Sequence, residues 1–169
     1  MEQDGDMKEE EHGKRGKAVR ESVSFILYLI VIVVLTFLMI RYVGQRTRVD
    51  GSSMENTLTN GDNLIVDKIS YRFHEPERFD IIVFPYQYKE DTYFIKRIIG
   101  MPGETVQITD KGEILINGEE LVESYGREVI KDPGLASDPI TLGEDEYFVM
   151  GDNRKYSKDS RFTDVGNIK

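Results

Sequence analysis

Thr92-Tyr93-Phe94-Ile95-Lys96-Arg97-Ile98-Ile99 is a run of β-branched and aromatic residues closed by Gly100-Met101-Pro102-Gly103, which is the pattern of a strand ended by a turn. Side chains alternate across a strand, so Phe94, Lys96 and Ile98 share one face, and Tyr93, Ile95, Arg97 and Ile99 share the other. An ammonium group flanked by Phe and Ile has two fates. It can run its stem along apolar surface and keep its head in water, or it can be buried, which disfavours the charged form and depresses its pKa. The strand alone leaves both open.

The same composition recurs on either side. Asn63 to Ile69 and Asp80 to Phe84, the latter ended by Pro85, read as strands; so do Thr105 to Thr109, Glu113 to Ile116 before an Asn117-Gly118 turn, and Glu146 to Met150. After residue 41 no window shows helical periodicity. Residues 41 to 169 are therefore expected to form a mainly β, antiparallel domain. The stretch from Arg127 to Leu142, with its two prolines, reads as an exposed excursion.

Before this domain comes Ser22-Val23-Ser24-Phe25-Ile26-Leu27-Tyr28-Leu29-Ile30-Val31-Ile32-Val33-Val34-Leu35-Thr36-Phe37-Leu38-Met39-Ile40, without a charge, Gly or Pro. Coiled as a helix it would reach roughly 28 Å, close to a hydrocarbon core of about 30 Å. A cleaved signal peptide would have a shorter apolar region followed by small residues, and a buried core helix would carry a polar stripe; this run has neither. Lys8, Lys14, Arg15, Lys17 and Arg20 precede it, whereas Arg41, Arg46 and Arg48 follow. That bias favours an N-terminus in the cytoplasm, with residues 41 to 169 outside a cell membrane crossed once. Residues 1 to 21, charged and almost free of apolar side chains, are expected to be a disordered cytoplasmic tail.

Across 169 residues, 31 acidic side chains face 22 basic ones, for a net charge of -9, and there is no cysteine. A disulfide framework, a thiolate nucleophile and a Cys-ligated zinc are thereby excluded. Of the two histidines, His12 sits beside Gly13 in the polar tail and His74 in a Phe73-His74-Glu75-Pro76 turn. Neither histidine catalysis nor a metal site is expected from them, and no other cofactor is expected. Without a concentrated basic face, no nucleic-acid partner is expected either.

Two polar segments complete the pattern. Val49-Asp50-Gly51-Ser52-Ser53-Met54-Glu55-Asn56-Thr57-Leu58 follows the apolar run after a short connector, and by itself reads as a turn. Phe148-Val149-Met150-Gly151-Asp152-Asn153-Arg154-Lys155-Tyr156-Ser157-Lys158-Asp159-Ser160-Arg161 carries a strand into a dense polar loop, which by itself reads as solvated.

In this order, behind an apolar run, the segments resemble the type I signal peptidases, Ser-Lys enzymes of peptidase family S26, in their Gram-positive-like form. The likeness rests on Gly-x-Ser-Met-x-x-Thr-Leu at Gly51 to Leu58, Arg-x-Asp-Ile-Ile-Val-Phe at Arg78 to Phe84, Lys-Arg-Ile-Ile-Gly-Met-Pro-Gly-Glu at Lys96 to Glu104, and Gly-Asp-Asn-Arg-x-x-Ser-x-Asp-Ser-Arg at Gly151 to Arg161. It implies the signal peptidase fold, an antiparallel and barrel-like catalytic domain. It also implies a serine endopeptidase that cuts signal peptides from exported preproteins, with Ser53 as nucleophile and Lys96 as general base. Ser157 would orient the lysine, Asp159 would pair with Arg161 to brace the loop, and Asp152 would support both. Met54, Leu58 and Ile95 would line shallow pockets for small side chains, although each could equally be ordinary core. Burial between Phe94 and Ile98 agrees with the base role, since a solvated lysine with pKa about 10.4 is almost never neutral at pH 7.

The pattern departs from that family at two places. Asn56 stands where Pro is usual, removing a fixed φ angle from the nucleophile's loop. Relatives usually continue into another strand past the position of Lys169, so either the chain is truncated or its sheet is incomplete. The Ser53 amide is the expected oxyanion donor; relatives with a hydroxyl two residues before the nucleophile have Gly51 here, which leaves Ser52 as a candidate second donor. Two other readings stand beside this one. Another Ser-Lys hydrolase of the same fold, such as a self-cleaving repressor, would lack the apolar run. A catalytically silent, membrane-anchored relative acting as a peptide-binding scaffold would keep it.

Overall fold

The computed structural model describes residues 3–169, with side chains from residue 17 onward apart from Ala18. The chain forms two units, one holding the N-terminal helix and Asp67–Ile69, the other Arg46–Val66 and Ser70–Lys169.

In the first unit, helix α1 spans Gln3–Tyr42. It begins well before the apolar run, where charge and polarity led to an expectation of disorder; the Glu, Lys and Met residues there have favourable helix propensity. The side chain of His12 lies outside the described residues. Val19–Tyr42 has a mean hydropathy of 3.0 and none of it is buried inside the protein. A helix apolar on all sides and covered by no protein is the form a bilayer stabilises, and this one is long enough to cross.

The second unit is built from short antiparallel strands. β1 (Gly44–Arg48) lies beside β2 (Asn63–Asp67). A three-stranded sheet runs β3 (Ile81–Pro85), β4 (Tyr93–Gly100), β9 (Phe148–Met150). A four-stranded sheet runs β7 (Glu119–Glu120), β6 (Ile114–Ile116), β5 (Thr105–Ile108), β8 (Ile140–Thr141). The β6–β7 connection is the Asn117-Gly118 turn read from the sequence, with both residues at positive φ, as a two-residue hairpin requires.

β4 is the organising strand. Ile82 pairs with Lys96 and Ile81 with Arg97 on one side, and Arg97 pairs with Met150 on the other. Because residues alternate, Ile99 joins Val106, Ile108, Phe148 and Met150 in one apolar cluster, while Ile98 joins Phe84, Val149 and Val165 in another. Gly100 closes the strand where the β4–β9 register shifts. A Cβ there would sit 2.5 Å from Val106 Cγ2, so only glycine fits.

The Arg127 to Leu142 stretch corrects its sequence reading. Ile130, Ala136 and Leu142 are buried in the β5 cluster. Their apolar side chains are spread over irregular backbone and one 3-10 turn, Gly134–Ser137, so no periodicity announces them.

Candidate active site

Gly51, at φ +112, lets the chain turn out of β1 into a tight loop held by bonds from the Thr57 and Leu58 amides to the Met54 carbonyl, both 2.8 Å. That loop presents Ser53 to the central strand, and Lys96 Nζ lies 2.9 Å from Ser53 Oγ. The same nitrogen donates to the Ile95 carbonyl at 2.9 Å and sits 5.0 Å from the centre of the Phe94 ring. Tyr86 stacks on Phe94 at 4.4 Å, fixing that wall. Lys96 is 3% exposed. Burial lowers its pKa to about 8, against an opposing pull from the Asp159 and Asp152 carboxylates. Of the two fates the strand left open, this is the buried one. About one copy in ten is then neutral at pH 7.

The loop after β9 grips the serine loop from below. The Asn153 amide donates to the Ser53 carbonyl and Asn153 Nδ2 to the Ser52 carbonyl, both at 3.0 Å. Gly151 makes that approach possible: a Cβ there would meet the Ser53 carbonyl oxygen at 2.4 Å and Ser157 Oγ at 2.3 Å. Asp152 accepts two bonds from Arg97, at 2.9 and 2.7 Å, and a third from Thr57 Oγ1 in the serine loop. Arg97 also donates to the Phe79 carbonyl and lies 3.8 Å over the Tyr125 ring. Asp159 and Arg161 form a fully buried two-pronged pair at 2.8 and 2.9 Å. Asp159 also takes the Gly151 amide, and Arg161 donates to the Arg154 and Asp132 carbonyls.

Expected and observed placements differ in places. Ser53, Lys96, Asp152, Asp159 and Arg161 converge. Ser157, expected to hydrogen-bond the lysine, does not: the amine is turned to Ser53 and to its own strand, while Ser157 Oγ is buried against Gly151 and without a partner among the described residues. A groove of 330 Å³ opens above the pair, lined by Ser53, Met54, Val83, Ile95 and Lys96 among others. Leu58, expected there, is outside its lining. The Ser53 amide and Ser52 Oγ make no hydrogen bond among the described residues. His74 is exposed. Arg97, Thr57, Gly151 and Asn153 were missed as site residues. An arginine on an inward strand face does signal a carboxylate partner, but not which one.

A serine hydroxyl bonded to a buried lysine of lowered pKa, in the lining of an open groove and on a chain with an apolar helix, defines the class of Ser-Lys sites on membrane-directed proteins. The family described as signal peptidase, peptidase S26 matches residues 21–169, and the chain belongs to it. It is 40% identical over 126 residues to a probable signal peptidase I-2 of Synechocystis, covering 72% of this chain and 56% of that one. It is 43% identical over 128 residues to a signal peptidase I of Leptolyngbya laminosa, covering 72% and 61%. To a signal peptidase I P of Bacillus subtilis subsp. natto it is 35% identical over 146 residues, covering 82% and 78%. The chain thus spans about three fifths of the length of the first two relatives.

Proposed function

We propose that this chain is a serine endopeptidase that removes signal peptides from exported preproteins. The observation that carries the reading is the 2.9 Å contact between Ser53 Oγ and a lysine whose pKa burial has lowered to about 8. The neutral amine of Lys96 accepts the Ser53 proton as Oγ bonds to the peptide carbonyl carbon. The oxyanion that forms faces the Ser53 amide, with Ser52 Oγ as second donor. The ammonium then protonates the leaving nitrogen, and water cleaves the ester by the same route in reverse. Arg97, Asp152 and Asn153 hold the serine loop in place, and the Asp159–Arg161 pair braces the loop beneath it. An extended substrate lies along the groove beside β4, where main-chain bonds give affinity and Met54, Val83 and Ile95 leave room for small side chains only. Residues 22–40 anchor the chain once in the cell membrane, with residues 1–21 in the cytoplasm and 41–169 outside.

Cleavage of a preprotein in detergent tests this. The wild-type chain is expected to cut at the signal-peptide boundary, and Ser53→Ala and Lys96→Met to be inert. An inert wild type, or variants that cut as fast as wild type, would overturn the assignment.

A further inference from the structure

A second groove, of 640 Å³, is lined by residues that include Leu135, Lys155, Tyr156, Ser157, Lys158 and Phe162. Tyr156 and Lys158 line the Ser53 groove as well, so the two grooves are neighbours that share that pair of side chains as a wall. Ser157, in the wall of the second groove, is 6% exposed with its Oγ unpartnered among the described residues. It packs on Gly151, the residue against which the Ser53 carbonyl also rests. The second groove therefore starts next to the serine loop.

A polypeptide cut at Ser53 must continue on both sides of the bond being broken. The Ser53 groove, walled by residues 47–51, Val83 and residues 93–95, takes one side. We propose that the second groove takes the other: it binds the first residues after the scissile bond, and Lys155 and Lys158 on its rim select acidic side chains there. This rests on the reading of Ser53 as the nucleophile. The rim's charge supports it. Lys155 is exposed, sits 5.0 Å over the Tyr156 ring and makes no ion pair among the described residues. Lys158 pairs at 3.0 Å with Asp164, the one carboxylate in the lining; nearby Asp159 is committed to Arg161. Two cations against one anion give a positive rim on a chain of net charge -9, while Leu135 and Phe162 offer apolar surface to a side-chain stem.

The test uses the full chain in detergent and three peptides, identical through the cut, whose second and third residues after it are Glu, Gln or Lys. Binding is measured by fluorescence anisotropy on the Ser53→Ala chain, and cleavage on the wild type. Glu is expected to bind tighter than Gln and Gln tighter than Lys, by roughly two- to fivefold per step as for exposed charge contacts. The order should collapse in 1 M salt, where screening acts within about 3 Å, and reverse in Lys155→Glu/Lys158→Glu. Equal binding of all three peptides, an order that the double variant does not reverse, or the same order when the charges are moved before the cut would overturn the proposal. Ordered binding without wild-type cleavage supports the groove and sinks the peptidase reading; cleavage with no charge order sinks the groove alone.

Discussion

Keeping the Lys96 side chain 3% exposed costs the fold stability while it equips the site. Its pKa falls from 10.5 to about 8, about 3 kcal/mol at 1.36 kcal/mol per unit. The sign follows from the lowered value. Below pH 8 both folded and unfolded chains are protonated and the full penalty applies; it fades as pH rises from 8 to about 10.4 and is gone above that. Lys96→Met is therefore expected to raise the unfolding free energy at pH 7 by about 2 kcal/mol, after the loss of the bonds to Ser53 and Ile95. Urea denaturation should show the gain falling as pH rises and becoming a loss of about 1 kcal/mol by about pH 11, where only the missing bonds count, and a variant less stable than wild type at pH 7 would contradict it. If Lys96 is the base, as proposed above, the same titration governs activity. Since only the neutral amine can act as base, kcat/KM should climb about tenfold per pH unit below 8 and level off above. A rate flat from pH 6 to 9 would remove Lys96 from the reaction.

At the scale of elements, the serine loop is held by the loop after β9 and by β4. Arg97→Lys keeps the charge but loses the two-pronged grip on Asp152 and the Tyr125 stacking, and the two cations are not interchangeable at such a site. It is expected to cost about 2 kcal/mol of stability and at least tenfold in kcat, measured by urea unfolding and steady-state cleavage. Gly151→Ala must displace either the Ser53 carbonyl or Ser157; kcat is expected to fall at least tenfold with the Lys96 pH midpoint kept. β4 was legible because its alternation is local: Lys96 falls on one face with Phe94 and Ile98, although the strand by itself does not decide between a buried and a snorkelling amine, and the Asn117-Gly118 dipeptide announced a turn. Arg97–Asp152, 55 residues apart, and Asn153–Ser52, 101 apart, were not legible as pairs, because nothing local encodes which distant loop a residue will meet. Two-residue strands such as β8 are too short to carry a period.

For the molecule as a whole, sidedness is the open prediction. The chain has no cysteine, so single replacements report position cleanly. Asp110→Cys should react with a membrane-impermeant maleimide in intact cells, and Glu10→Cys only after permeabilisation; the reverse result would invert the topology. The tie between the Asn153 backbone and the Ser53 carbonyl bears on timing. Synthesis runs from the N-terminus, so a growing chain that has emerged only as far as β8 already carries its hydroxyl and its amine yet lacks the clasp that aligns them. Until the loop after β9 has been made, the serine loop has nothing to hold it against the amine.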